Sequence, residues 1–547
     1  MIRRIVHIPA SHPVLHAKAW HRRLGFLLSL LVAGLALPAE GNGQPSTPGR
    51  EDLLFLNRIA YGANAATLRE YRQLGRERYL ASQLVFRADG GLPSGIRQRI
   101  AEMDISRLSP ADLLDERRRA EQQFKSAPDS VSAGKIRKAI NERNNELGMQ
   151  AAERRILRDL YSQSQLQEQL LGFWFNHFTV FQYKGNIPQL LADYEEHAIR
   201  PHVLGKFRDL VLATLTHPAM LIYLDNAQNA AGAVNENYAR ELMERQTLGV
   251  HGGYTQSDVQ ALARILTGVG VDLSGKGCPG GQTRLTGAEA PAGGGLFCFN
   301  PKRHDSGEKL FLGQTFPPGG GLDEVLRAVN LLVRSPASAQ FISRRLAVYF
   351  LSDDPPQALL NEMARTFQNT DGDIALTLKT LFHSPYFRDG KALGNKYKDP
   401  VQYVLSSLRL LYGGQPIQNI RPAVNWINQL GEPLYGHPTP DGYGMREKDW
   451  LSADQMTKRF EVAKAIYWNA GALYVDEPRS SQLEITDKKR LQDLRKEARE
   501  SHPIDVFGIY DLLRPILSDT TLATLKKSLS FDEWNALLLS SPEWMYR

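Results

Sequence analysis

Cysteine is almost missing from this chain of 547 residues: there are two, Cys278 and Cys298. That scarcity excludes a disulfide-dense scaffold and a C-x-x-C-H haem attachment site. The sequence also lacks a G-x-S-x-G elbow, a phosphate-binding glycine loop, an H-E-x-x-H pair and a dinucleotide fingerprint, so the common hydrolase, nucleotide and zinc-protease signatures are missing. Beyond residue 40 no apolar run is long enough to cross a bilayer. Net charge is scarce too. The formal value is +7, but residues 1–39 supply five of those charges through Arg3, Arg4, Lys18, Arg22 and Arg23, with no acid. The rest of the chain is close to neutral and gives no reason to invoke nucleic acid as a partner. A composition of 42% hydrophobic and 23% charged residues is that of a globular chain with ample core.

The basic start has a specific form. Arg22-Arg23 precedes the run LGFLLSLLVAGLALPA, which has the length of a signal-peptide core and small residues at Ala36 and Ala39. We expect an export signal over 1–39, with an uncleaved anchor as the alternative and either the general secretory or the twin-arginine route. The mature protein is then periplasmic or extracellular and has no transmembrane segment. Residues 40–50 read as a polar linker. In an oxidising compartment Cys278 and Cys298 are expected to pair, closing a glycine-rich loop of about 20 residues and contributing roughly 3 kcal/mol in the chain-entropy model. A metal site at these cysteines would need ligands that the loop does not offer.

The most informative stretch is NENYARELMERQTLGVHGGYTQSDVQALARILTGVG, residues 235–270. Ala239, Leu242 and Met243 form an apolar stripe, and Glu236, Arg240 and Glu244 are spaced so that one arginine is bracketed by two carboxylates. The helix is expected to stop near Gly249, and Thr255 is an N-cap for the next. Elsewhere the apolar positions repeat with helical period almost throughout. Ser109-Pro110 marks a helix start, and residues 151–182 read as one long helix ending in LLGFWFNHFTVF. The fold expected is all-α: a large multi-helix, bundle-like domain over 51–547, or two helical halves (51–270 and 301–547), with a small hairpin and the glycine-rich disulfide loop inserted.

Several polar groups invite chemistry. Asn176 and His177 interrupt an aromatic run. Asn235, Glu236, Arg240, Glu241 and Glu244 supply carboxylates and a cation. His304, Asp305 and Lys309, in the turn-rich segment FNPKRHDSGEKLFLGQTF, supply a base, an acid and a cation. If these converge in one cleft they could act as general acids and bases, or hold a divalent metal through oxygen and nitrogen. Each also has a plainer reading, as a satisfied core histidine, a solvated helix face or exposed hairpin residues. Glu195, Glu196, His197 and His202 lack the Glu-x-x-His spacing of a di-iron bundle and are set aside.

The runs N-E-N-Y-A-R-E-L-M-E, T-L-G-V, G-G-Y-T-Q-x-D-V and A-R-x-L-T-G resemble the hallmark of a large bacterial family catalogued as a domain of unknown function, number eighteen hundred. The H-D-x-G-x-K-x-x-L-G pattern at 304–313 resembles its second hallmark, and the Asn176-His177 pair, the DLLFLNRIAYG start and the LLSSPEWMYR ending are similar to its other landmarks. The chain departs from the family at Tyr443 and Val269, where relatives carry tryptophan, and at His437. The resemblance implies a common helical fold and a shared site, and names no reaction. It also implies an exported, alkaline-phosphatase-like partner encoded nearby. Two functions are carried forward. One is an exported hydrolytic or metal-assisted enzyme acting on an envelope or extracellular polymer. The other is a non-catalytic envelope protein whose charged helix is a buried structural network.

Overall fold

Local capping chemistry starts the helices where the sequence says it should. Ser109 and Asp112 cap each other's backbone N–H groups ahead of the helix Pro110–Lys125, with Pro110 in the first turn, where a missing N–H costs nothing. Thr255 and Asp258 form the same box at the start of the helix Gln256–Ile265. In this computed structural model, which describes residues 49–274, 278, 281–283, 295–388, 394–476 and 485–547, 27 α-helices and two short antiparallel hairpins are present among the described residues. The protein is all-α. The described residues from Gly49 onward form one compact unit. The expected export signal over 1–39 and nearly all of the 40–50 linker lie outside the described residues, as does most of the glycine-rich insertion.

One strand pair brackets the glycine-rich insertion, and the other is the small hairpin expected in the segment that carries His304. Val269–Val271 pairs with Phe297–Phe299, and Lys309–Phe311 pairs with Gln314–Phe316. Cys298 lies in the first of these and is disulfide-bonded to Cys278, with the Cα atoms 5.5 Å apart. No described helix is long and apolar enough to cross a membrane.

Two helices depart from the pattern expected of them. The long helix expected over 151–182 is two: Ser130–Tyr161 and Gln165–His177. The break is made by a distant turn, because the Gly90 carbonyl accepts from Gln163 N, Ser164 N and Ser162 Oγ, bonds that compete with helix continuation. The hallmark helix begins as Asn237–Glu241 and widens into a π-helical turn, Leu242–Thr247, before Gly249 ends it with a positive φ of 81°. A second π-turn, Tyr194–Ile199, extends the helix Ile187–Asp193. Such turns insert an extra residue per turn and re-aim side chains, and they concentrate at functional sites.

Buried arginines fasten the ends of the chain to its middle. Arg58, fully buried in the helix Arg50–Ile59, donates to the carbonyls of Phe350, Leu351 and Arg547. The Arg547 guanidinium in turn donates to Gln169 Oε1 at 2.7 Å and to the Tyr349 carbonyl at 2.8 Å. The helix Pro336–Phe350 is thereby clamped against the helix Gln165–His177, and Phe173 packs on Tyr349 with ring centroids 5.3 Å apart. These two helices form one wall of the cavity described next.

Candidate active site

A cavity of about 80 Å³ opens behind that wall. Phe173, Phe175 and Asn176 come from one helix and Tyr349 from the other; Asp399 and Gln402 come from the start of the helix Pro400–Tyr412; Glu432, Tyr435, His437 and Tyr443 come from the loop 431–446. By volume it has room for about five waters or a group of a few heavy atoms.

The cavity's floor and its acids are treated differently by the fold. On the floor, Arg155 makes a two-pronged contact with Asp159 at 3.0 and 3.1 Å and reaches Glu195 at 3.1 Å. The Tyr435 hydroxyl donates to the same Glu195 at 2.8 Å. Neighbouring acids follow suit, with Glu168 on Arg200 at 3.0 Å and Glu196 on Arg158 at 2.7 Å. Every one of these buried charges is neutralised, as burial demands.

Asp399 and Glu432 have no such partner. Protein encloses both, yet each keeps part of its surface accessible because it lines the cavity. Asp399 Oδ1 accepts from Gln402 N at 2.7 Å and Glu432 Oε2 from Val401 N at 3.0 Å, both N–H groups belonging to the first turn of one helix. Among the described residues neither carboxyl forms an ion pair. Burial pushes the Glu432 carboxyl well above the usual carboxylate range, and the charge of Asp399 adds to the push. Burial also raises Asp399, against the pull of Arg547. Sharing one enclosed space, the two carboxyls oppose each other's ionisation. Beside them Gln402 donates through Nε2 to the Tyr349 hydroxyl at 3.2 Å, while its Oε1 is buried with no hydrogen-bond partner among the described residues. That leaves one acceptor free for a donor on a bound molecule.

The residues singled out in the sequence fall into three groups. Asn176 lines the cavity and is stitched to the 431–446 loop, donating to the Tyr443 carbonyl at 2.9 Å and accepting from Tyr443 N at 2.7 Å. Tyr443 and His437, two of the departures from the family pattern, both line the cavity and pack ring to ring at 4.6 Å. His177, one residue on, is buried with Nε2 at 2.9 Å from the Gln246 carbonyl and Nδ1 without a partner. Burial, then the charge of Arg345, hold its pKa well below the ordinary histidine value, so the ring is neutral. Glu241 is half-buried. Its Oε2 has no partner, burial raises its pKa, and Arg245 and Asp441 of the loop lie within electrostatic reach.

Asn235, Glu236, Arg240 and Glu244 make the second group. Asn235 Oδ1 accepts from Asn237 N at 2.9 Å and turns the chain into its helix. Arg240 lies between Glu236 at 3.0 Å and Glu244 at 3.3 Å, as the spacing requires, and Gln256 bridges to the pair. These side chains are about one-third exposed, so this ladder is not a buried network.

The third group surrounds His304. Its Nδ1 is 2.9 Å from the Thr267 carbonyl and its Nε2 is 3.4 Å from Glu324. Lys309 reaches the same Glu324 at 2.7 Å and also donates to the carbonyls of Asp305 and Gly307. Asp305 is clasped by Arg264 at 2.7 and 3.1 Å, which holds its carboxyl down at about 2. Gln256 and Arg264 sit at opposite ends of one helix, eight residues or about 12 Å apart along its axis. The second and third groups thus engage opposite ends of that helix, and no hydrogen bond or ion pair joins His304 to Glu241 among the described residues. Nor do any three His, Cys, Asp or Glu side chains among the described residues group as a metal ion would need.

Sequence reasoning missed Glu324, which reads as an ordinary first-turn acid in GLDEVLRAV. It also missed Asp399, whose local signal is only Asp-Pro at a helix start, and Glu432, which sits in a loop.

One family model, described as a protein of unknown function (DUF1800), matches residues 54–546. The chain belongs to that family. No curated protein and no solved structure matches it. The DUF1800 match spans all ten candidate residues of the sequence together with Asp399, Glu432 and the cavity wall.

Proposed function

We propose that this DUF1800 protein is an exported enzyme that performs general acid–base, hydrolysis-type chemistry in the cavity. The observation that supports it best is the pair Asp399 and Glu432: two enclosed carboxyls that form no ion pair among the described residues, in a fold that pairs its other acids nearby. Unpaired buried acids cost stability, and such costs are characteristic of functional sites. In this reading Glu432 holds the proton and donates it to a leaving group. Asp399 takes a proton from water, and Gln402 Oε1 accepts from a donor on the bound molecule. Asn176, at the cavity wall, and Glu241, facing the loop, hold the mouth. A cavity of this size admits an end group or side group of an envelope or extracellular polymer rather than the polymer's length. The Cys278–Cys298 bond supports export, since it needs an oxidising compartment. The exported alkaline-phosphatase-like partner enters as the supplier or receiver of the same material.

The second reading, a non-catalytic envelope protein, finds its support in the Arg155–Glu195 network rather than in the partly exposed ladder at Arg240. The two readings separate in one experiment. Wild type, Asp399→Asn and Glu432→Gln are screened on chromogenic esters, glycosides, amides and phosphodiesters, with the protonated-carboxyl infrared band recorded at pH 7. The enzyme reading expects turnover lost in both variants without loss of folding, and the band lost in Glu432→Gln. Turnover retained in both, or no protonated carboxyl at pH 7, removes it.

A further inference from the structure

Arg345 stands apart from the other arginines of the interior. Arg58, Arg155, Arg200 and Arg547 all donate to carbonyls or carboxylates. Arg345 makes no hydrogen bond and no ion pair among the described residues, and its Nε is buried with nothing to donate to. Its guanidinium lies 6.0 Å from the centre of the Phe173 ring, whose helix walls the cavity. It precedes the cavity residue Tyr349 by one helical turn, so the two share a face. One turn the other way, Phe341 packs on His177 at 6.1 Å.

The π-turn Leu242–Thr247 brings a second cation to the same place. Gln246 of that turn meets His177, and Ser338, at the start of the Arg345 helix, donates to the Thr247 carbonyl at 3.2 Å. Gly249 lets the segment come this close, since a Cβ there would lie 2.7 Å from the Phe341 ring. Arg245, next to Gln246, is exposed and likewise without a hydrogen bond or ion pair among the described residues. The charges of Arg245 and Arg345 act on each other, and burial with that repulsion lowers Arg345 to about 10. Glu241 lies within electrostatic reach of Arg245.

Two guanidinium groups that find no acceptor among the described residues, on segments packed against each other, have the fork geometry that suits an oxyanion. We infer that Arg345 and Arg245 receive an oxyanion, a phosphate or carboxylate group, carried by the molecule whose reactive part enters the adjacent cavity. The substrate class is then anionic. The word substrate rests on the acid–base reading above; the anion site rests on the two arginines alone.

The test is calorimetric titration of the purified mature protein with inorganic phosphate and, separately, with acetate at constant ionic strength. Saturable binding of at least one anion is expected, and which one binds tells a phosphate from a carboxylate. Arg345→Gln should weaken it at least tenfold and Arg245→Gln several-fold. Arg344→Gln, an exposed neighbour bonded to Gln357, should leave it unchanged. Should Arg345→Gln not fold, Arg245→Gln and Arg345→Lys decide. No saturable binding to wild type, or wild-type affinity in Arg245→Gln, overturns the inference. Glu432→Gln titrated alongside should bind as wild type does, so a failed anion site and a failed acid pair give different results.

Discussion

Asp399 and Glu432 divide the first turn of one helix between them: Gln402 N donates to the first at 2.7 Å and Val401 N to the second at 3.0 Å. A helix N-terminus carries partial positive charge and favours acids, but here it receives two within a closed space, and burial pushes Glu432 well above the usual range. A carboxyl whose folded pKa is raised binds its proton more tightly when folded. Its stabilisation is complete below the unfolded value of about 4.3 and is lost as pH rises through the folded value. Urea unfolding from pH 4 to 8 should therefore show wild type losing stability relative to Glu432→Gln as pH rises, with the variant more stable by about 1–3 kcal/mol at pH 8. A difference that is flat with pH would mean that the carboxyl ionises normally.

Glu195 should behave in the opposite way. It is 1% exposed and shared by Arg155 and the Tyr435 hydroxyl. Glu195→Gln leaves the arginine charge short of a counter-charge in the interior, and a loss of about 3–5 kcal/mol is expected. The two glutamates line up as a matched pair for the same denaturation experiment: one whose removal relieves the fold and one whose removal breaks it.

That contrast also shows where sequence reading ends. The helix starts at Ser109-Pro110 and Thr255 were legible because the residues that signal them are neighbours in the chain. The Arg240 ladder was legible for the same reason, though not its exposure, which depends on what packs above it. His304 and Lys309 were visible as a compact pair, while Glu324, the acid they share, is 15 residues beyond Lys309 and looks like any helix-start glutamate. Asp399 and Glu432 meet only because a loop folds back on a helix start 33 positions earlier in the chain. The π-turns at Glu195 and Gln246 left no periodic trace, since one extra residue in a turn is invisible in so short a segment.

His177 gives a pH dependence of the other sign. Its folded pKa lies well below the ordinary value because of burial and the nearby Arg345. A depressed base contributes stability that is fully present above the unfolded value of about 6.5 and is lost as pH falls below it. The expected loss is about 1.4 kcal/mol per pH unit until the folded value is reached. His177→Gln, whose amide can still donate to the Gln246 carbonyl, should remove that slope between pH 6.5 and 5. Thermal unfolding across this range in both proteins is the check, and parallel curves would show that some other group titrates.

Gly442 tests whether the loop over the cavity depends on its anchor. Its φ is +68°, and a Cβ there would lie 2.3 Å from the Asn176 carbonyl oxygen and 2.6 Å from its side-chain oxygen. Alanine therefore meets both a left-handed backbone, costing about 1–2 kcal/mol, and a collision with the residue that pins Tyr443. The helix carrying Asn176 is fixed by Trp174, whose Nε1 donates to the Val203 carbonyl at 3.1 Å, so the loop is what must yield. Gly442→Ala should leave the helical core intact while loosening 431–446, seen as faster amide exchange there than elsewhere. Because Glu432 lies in the same loop, its carboxyl should move towards an ordinary pKa and its infrared band at pH 7 should weaken. Unchanged exchange together with an unchanged band would mean that the loop is held from somewhere other than Asn176.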